Sequence, residues 1–184
     1  VVLCGLGGQG ILFMTKVLAQ AALEKGFNVM GAETHGMAQR GGSVVSHLRF
    51  GEASGSLVMT DSAHFLMALE EIEGYRNLPF LARGGRMYVN TGFPGFPRVE
   101  VRDYLARKEI LARSLPATAV AQERGAPLSS NLALLGYFSA FDEGPIGHDE
   151  MRATIDRISP DRFRETNLGI FDAGCEKAKG EGHG

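Results

Sequence analysis

Gly5-Leu6-Gly7-Gly8-Gln9-Gly10 stands between a short apolar run, Val1 to Cys4, and a stretch of helical periodicity that begins at Ile11. The six residues fit G-x-G-x-x-G in the strand, turn and helix setting that gives this pattern meaning. Glycines there let the backbone approach a phosphate or a neighbouring element closely, and the free N–H groups and dipole of the following helix favour negative charge. Ile11, Leu12, Thr15, Leu18, Ala19 and Ala22 mark the expected inward stripe of that helix. Lys25-Gly26 closes it with a cation and a C-terminal glycine, and Phe27, Val29 and Met30 open a second strand. A βαβ unit is therefore expected to begin the chain.

Two uses of the glycine turn stay open at this point. Glu33 follows at about the twenty-residue distance of the acid that binds a ribose in dinucleotide folds, which favours a stand-alone NAD(P)-binding oxidoreductase. The same glycines also serve close packing of a strand against a helix. A non-enzymatic module that binds CoA or a nucleotide is a third reading.

Glu33 to Ser43 reads Glu-Thr-His-Gly-Met-Ala-Gln-Arg-Gly-Gly-Ser, polar and permissive residues that suit a loop better than a core. His35 and Arg40 are candidates for contact with an anionic group, since a guanidinium pairs bidentately with carboxylate or phosphate. The plainer alternative is a solvated surface loop. The candidate contact residues are Gly7, Gly8, Gln9 and Gly10 of the turn, and His35, Gln39, Arg40, Gly41, Gly42 and Ser43 of the loop.

Ser43 to Phe50 alternates as a third strand, and Leu57 to Thr60 reads as a fourth, joined to it by a hairpin or short crossover. A helix is expected from Ser62 to Glu73. Arg83-Gly84-Gly85 turns into a fifth strand, Arg86 to Asn90, followed by an irregular loop, Gly92 to Pro97, whose two phenylalanines are either an exposed patch or tucked in. Arg102 to Lys108 reads as helix, Ile110 to Ser114 as a last strand, and Pro116 to Arg124 as helix. Leu128 to Phe141, Asp149 to Ile158 and Pro160 to Lys179 complete a helical C-terminal third. Gly136 sits inside the first of these three, where glycine costs roughly 1 kcal/mol against alanine, so a close helix approach is expected there. The fold class expected is α/β: a single Rossmann-like domain over residues 1–184, with a mostly parallel sheet flanked by helices.

The net charge of -2, with basic residues scattered, gives no footprint for nucleic acid. No apolar run approaches the ~20 residues of a spanning helix, so no membrane association is expected. Val1 to Cys4 run straight into the glycine turn without a charged leader or cleavage signature, so no signal peptide is expected. Two cysteines, Cys4 and Cys175, far apart in sequence, suit a reduced, cytoplasmic setting and fall short of the four thiolates of a standard iron-sulfur cluster. Cys4 reads as a buried, inert thiol. The histidines are dispersed, with no metal-ligand spacing, and no Ser/His/Asp order can be assigned.

The turn Gly5 to Leu12 and the run Glu33 to Gly51 together strongly resemble the gamma subunit or domain of 2-oxoacid:ferredoxin oxidoreductases, and most nearly the beta subunit of indolepyruvate ferredoxin oxidoreductase. Gly84-Gly85-Arg86 before Asn90-Thr91, Asn131 to Gly136, and Arg157-Ile158-Ser159-Pro160 leading to Asn167-Leu168 extend the resemblance over nearly the whole chain. Tyr104 to Arg124 follows the pattern only loosely. The resemblance implies a subunit of an enzyme that oxidatively decarboxylates a 2-oxoacid to an acyl-CoA and passes electrons to ferredoxin. It places thiamine diphosphate, Mg and the iron-sulfur clusters on partner subunits. It gives this chain an interface role, with the glycine turn and the His35 to Ser43 loop facing a partner subunit or CoA, and no catalytic residue of its own.

Overall fold

A computed structural model describes residues 1–36 and 41–181. Strand β1 (Val2–Leu6) is buried at its first four positions, as a central strand must be. Helix α1 (Ile11–Glu24) follows, with Gly10 as its N-cap in the left-handed region. Its buried stripe is Ile11, Met14, Val17, Leu18, Ala21 and Ala22. Leu12, expected inside, is 48% exposed. Gly26 has φ +85°, and the Phe27 N–H returns to the Ala22 carbonyl, so the helix ends as its Lys25-Gly26 signal predicts.

Strand β2 (Val29–His35) and strand β3 (Ser43–Phe50) form an antiparallel pair. Glu33, Thr34 and His35 thus belong to a strand rather than to the expected loop. Strand β3 then pairs antiparallel with β1, which separates β1 from β2. The opening β1-α1-β2 unit is therefore split by a strand of opposite direction.

The largest correction falls between Leu57 and Glu73. Leu57 to Thr60 forms no strand, because both edges of β3 are already occupied by β1 and β2 and offer no place for a hairpin partner. The backbone there is held instead by side chains: His47 Nδ1 accepts from the Val58 N–H at 3.3 Å, and Arg49 Nη1 donates to the Leu57 carbonyl at 3.4 Å. The expected helix from Ser62 is replaced by strand β4 (Ala63–Ala68), and helix α2 starts only later (Glu71–Asn77). Five of the six β4 residues are buried. A strand covered on both faces loses the alternation that marks half-buried strands, and burial outweighs the helical preference of Ala, Leu and Met.

Strand β5 (Leu81–Asn90) begins earlier than expected and carries Gly84 at φ +73° inside it. Helix α3 (Val99–Arg107), strand β6 (Leu111–Leu115) and helices α4 (Ala117–Glu123), α5 (Ser130–Ser139), α6 (His148–Ile158) and α7 (Asp161–Glu181) lie within a few residues of their sequence positions. The sheet order is β2-β3-β1-β4-β5-β6. The β1-β4, β4-β5 and β5-β6 pairs are parallel, so only β3 runs against the other five strands.

Alternate strand residues feed two cores. Leu3, Val44, Leu48, Met67 and Tyr88 pack with α1 and the C-terminal helices, while Val2, Cys4, Leu66, Met87 and Val89 pack with α3 and the Leu78 to Leu81 segment. Every residue of α5 is buried. A Cβ added at Gly136 would stand 1.9 Å from the Phe171 carbonyl oxygen, and one at Gly174 would stand 2.0 Å from that of Ala133. The two glycines let α5 and α7 touch backbone to backbone, which is the close approach expected at Gly136. Among the described residues no helix is long and apolar enough to cross a membrane.

Candidate functional site

In an open α/β sheet the usual ligand crevice lies at the carboxyl ends of the parallel strands, where successive connections leave on opposite faces. Here β1 leads into α1 on one face, while β4 leads into α2 on the other. The glycine turn and the start of α2 therefore border the same crevice.

The turn is drawn together by its own side chains. Gln9 Oε1 accepts from the Leu6 N–H at 2.7 Å, and Gln9 Nε2 donates to Glu70 Oε1 at 2.6 Å, so Gln9 spans the gap between the β1 and β4 ends. Asn131 Nδ2, from α5, donates to the Gly10 carbonyl at 3.1 Å. The glycines make room for these contacts: a Cβ at Gly5 would lie 2.7 Å from Gln9 Oε1, and one at Gly10 would lie 2.5 Å from Asn131 Nδ2. Gly7 and Gly8 are exposed at the rim.

The second motif meets the first at its base. The Gly36 N–H donates to the Ser43 carbonyl at 2.7 Å, and the Gly7 N–H donates to the Gly42 carbonyl at 2.9 Å. Ser43 Oγ donates to Glu73 Oε2 at 2.6 Å, and Arg76 Nη1 donates to Glu73 Oε1 at 2.5 Å. Glu73 is only 3% exposed. His35 ends β2 in the open, with Nε2 3.6 Å from Glu33 Oε2. Gly41 is exposed at φ +70° and Gly42 is half-buried. Gln39 and Arg40 lie outside the described residues. The structure thus brings Gly7, Gly42 and Ser43 together, and holds Gln9 from Glu70, the residue before α2, and Gly10 from α5.

Sequence reasoning passed over the acids that do this work. Leu69-Glu70-Glu71-Ile72-Glu73 falls inside the helix expected from Ser62 to Glu73, yet three carboxylates directly after an apolar run are the signal of a strand end and a helix N-terminus. Glu71 holds a second loop: its Oε1 accepts from Arg98 Nε at 2.6 Å and its Oε2 from Thr91 Oγ1 at 2.9 Å. Burial raises its pKa, but the hydrogen bonds from Arg98, Thr91 and Tyr75 outweigh that and leave it lowered. That loop divides its phenylalanines: Phe96 stacks on Tyr75 at 6.3 Å, and Phe93 is 46% exposed beneath the Arg98 guanidinium.

Glu33 does not stand where a ribose acid would. It faces Ser46 of β3, which in turn faces Leu3 of β1, so two inter-strand spacings, roughly 10 Å, separate it from the first strand. The Gln9 to Glu70 bond also occupies the crevice, and its carboxylate opposes a pyrophosphate.

Two groups among the described residues invite a nucleophilic reading, and the geometry of each opposes it. Cys4 is buried, and burial, with Glu73 nearby, pushes its thiol well above the usual range despite a hydrogen bond from Asn77. Ser139, His148 and Asp172 do converge, with Ser139 Oγ 2.9 Å from His148 Nδ1. The serine hydroxyl is spent on the Gly136 carbonyl at 2.7 Å, though, and Asp172 takes Arg152 bidentately while His148 Nε2 stays 4.0 Å away. This is a helix joint without a relay. A cavity of about 570 Å³ opens at the opposite end of the sheet, lined by Leu48, Phe50, His64 and Phe65 among others, and among the described residues it receives none of Gly5 to Gly10 or of Glu33 to Ser43. Among the described residues no three His, Cys, Asp or Glu side chains group to hold a metal.

The chain matches the sequence pattern of the family described as pyruvate ferredoxin/flavodoxin oxidoreductase over residues 1–177. It is 32% identical over 182 residues to the indolepyruvate oxidoreductase subunit IorB of Methanothermobacter thermautotrophicus, covering 93% of each chain. Its fold is similar to that of the keto/oxoacid ferredoxin oxidoreductase gamma subunit of Geobacter sulfurreducens, with TM-score 0.74, 21% identity and 97% of each chain covered. It is also similar to part of the 2-oxoglutarate:ferredoxin oxidoreductase of Magnetococcus marinus, solved with 2-oxoglutarate, coenzyme A and succinyl-CoA bound. There the TM-score is 0.77 at 21% identity, covering 97% of this chain and 30% of that one.

Proposed function

The chain belongs to the pyruvate ferredoxin/flavodoxin oxidoreductase family, and from this we propose that it is the small, gamma-type subunit of a 2-oxoacid:ferredoxin oxidoreductase. The assembled enzyme converts a 2-oxoacid and CoA to an acyl-CoA and carbon dioxide, and delivers two electrons to ferredoxin in the cytoplasm. Thiamine diphosphate with Mg carries the decarboxylation, and iron-sulfur clusters carry the electrons. We assign all of these to partner subunits, since Cys4 and Cys175 are each buried in separate elements, β1 and α7, and cannot ligate a cluster. The observation that carries the reading is the family match over residues 1–177.

This chain's share is a surface. Gly7, Gly8, Gly10, His35, Gly41, Gly42 and Ser43, with Gln9 behind them, form the rim at the carboxyl ends of β1 and β2 and the start of β3. We assign that rim to the partner subunit, together with Gln39 and Arg40. Coenzyme A, which is an anion, fits the crevice poorly: a phosphate on the glycine turn would meet Glu70, and Glu73 lies just beyond. We place any CoA contact on the outer side of the rim, toward the partner. Indolepyruvate is the first substrate to test, given the identity to IorB.

The experiment is co-expression of the tagged chain with the thiamine-diphosphate subunit of the same organism. Recovery of a complex that holds thiamine diphosphate and iron supports the reading. A chain that purifies alone under conditions where the partner is present and folded counts against it.

A further inference from the structure

We propose that Glu73 is a positioning residue for subunit assembly, one that fixes the junction where the glycine turn and the base of the β2-β3 connection meet. The inference rests on the subunit reading above and adds the residue that sets the shape of its docking rim.

A carboxylate 3% exposed is a costly group to bury, and an apolar side chain would fill the same space between α2 and the sheet without that desolvation. What only a carboxylate supplies at position 73 is a strong acceptor for two donors at once. One is Arg76, itself exposed and equally able to find a partner at the surface. The other is the Ser43 hydroxyl at 2.6 Å, a charge-assisted bond 30 residues away in sequence. Ser43 is where three strands of structure join: it pairs with Leu6 of β1, its carbonyl accepts from Gly36, and its neighbour Gly42 accepts from Gly7. Fixing Ser43 therefore fixes the exposed glycines on both sides of the junction.

The support behind Glu73 is rigid. Helix α2 lies so close to the sheet that a Cβ at Gly74 would be 2.7 Å from Met87 Cε and 2.9 Å from Ala68 Cβ. Asn77 Nδ2 also donates to the Glu73 carbonyl at 2.8 Å. From the same helix start, Glu70 holds Gln9. Glu70 and α2 thus hold both motifs, and a junction held from a packed helix presents the same surface before and after its partner arrives.

The test uses the full chain co-expressed with its partner subunits and measures the dissociation constant of the assembled enzyme for wild type, Ser43→Ala, Glu73→Met, which fills the space without an oxygen acceptor, the double variant and Ser43→Thr. Each single change is expected to weaken assembly about tenfold, and the double variant no more than the worse single, because both remove one hydrogen bond. Ser43→Thr, which keeps the hydroxyl, is expected to assemble like wild type. Wild-type affinity in Ser43→Ala, even with a lowered melting temperature, overturns the proposal and leaves the subunit reading standing, as do losses that multiply in the double variant. A wild-type chain that never assembles removes the subunit reading and this inference with it.

Discussion

Gln9 Nε2 donates to Glu70 Oε1 at 2.6 Å across the gap between the ends of β1 and β4, and the same amide's oxygen holds the Leu6 N–H at 2.7 Å. A crevice that other α/β folds leave open for a ligand is here bridged by the chain's own side chains. With β3 inserted between β1 and β2, the geometry removes both halves of a dinucleotide site, the phosphate cradle and the ribose acid.

Calorimetric titration of the chain with NAD and NADP is therefore expected to give no heat beyond dilution. Gln9→Ala does not create a site, because Glu70 remains. It is expected to lower stability by about 1–3 kcal/mol through the unpaired Leu6 N–H and Glu70, or a few degrees of melting temperature. Micromolar nicotinamide binding by either protein would contradict this account of the crevice.

Gly136→Ala tests the contact of α5 with α7. The new methyl would stand 1.9 Å from the Phe171 carbonyl oxygen, so the helices must separate. Urea unfolding is expected to show a loss at or above the upper end of the ~1–3 kcal/mol usual for overpacking. Gly174→Ala acts on the same interface, and the two losses together are expected to be less than additive, since the first already parts the helices. Unchanged stability in either single variant would refute the backbone contact.

His47 gives the fold a pH dependence. Burial lowers its pKa below the ordinary histidine value, and its neutral Nδ1 accepts from the Val58 N–H at 3.3 Å. The unfolded chain therefore binds this proton at higher pH than the folded one. The stability tied to neutral His47 is complete above the unfolded value of about 6.5 and is lost as pH falls from there through the folded pKa. Urea midpoints at pH 7.5 and pH 5.5 are expected to differ in that direction for wild type, with the His47 share absent in His47→Gln. An equal slope in the variant would assign the effect elsewhere.

How much of this was legible in the sequence depends on the range of the interaction involved. Gly5 to Gly10, the Lys25-Gly26 helix end and the alternating strand Ser43 to Phe50 carry local signals, and all three lie where the sequence put them. Ala63 to Ala68 carries no strand signal because a strand buried on both faces shows no period of two. Leu57 to Thr60 has the composition of a strand but finds no edge to pair with, since β1 and β2 flank β3, and it leaves Leu57 and Met59 exposed. The insertion of β3 beside β1 depends on which strand edge is free, and no local pattern encodes that. The acids of the site were missed for the same reason: Glu70 and Glu73 meet Gln9 and Ser43 across 61 and 30 residues.

The role proposed for this chain, a required subunit of a 2-oxoacid:ferredoxin oxidoreductase, carries no activity by the chain alone. Its most direct test is 2-oxoacid- and CoA-dependent ferredoxin reduction by the thiamine-diphosphate subunit, with indolepyruvate tried first, as the purified chain is titrated in. The rate is expected to rise with added chain and to saturate at a fixed stoichiometry, with none from the chain by itself. A partner that works at full rate without the chain, or a rate that the chain leaves unchanged, would contradict it.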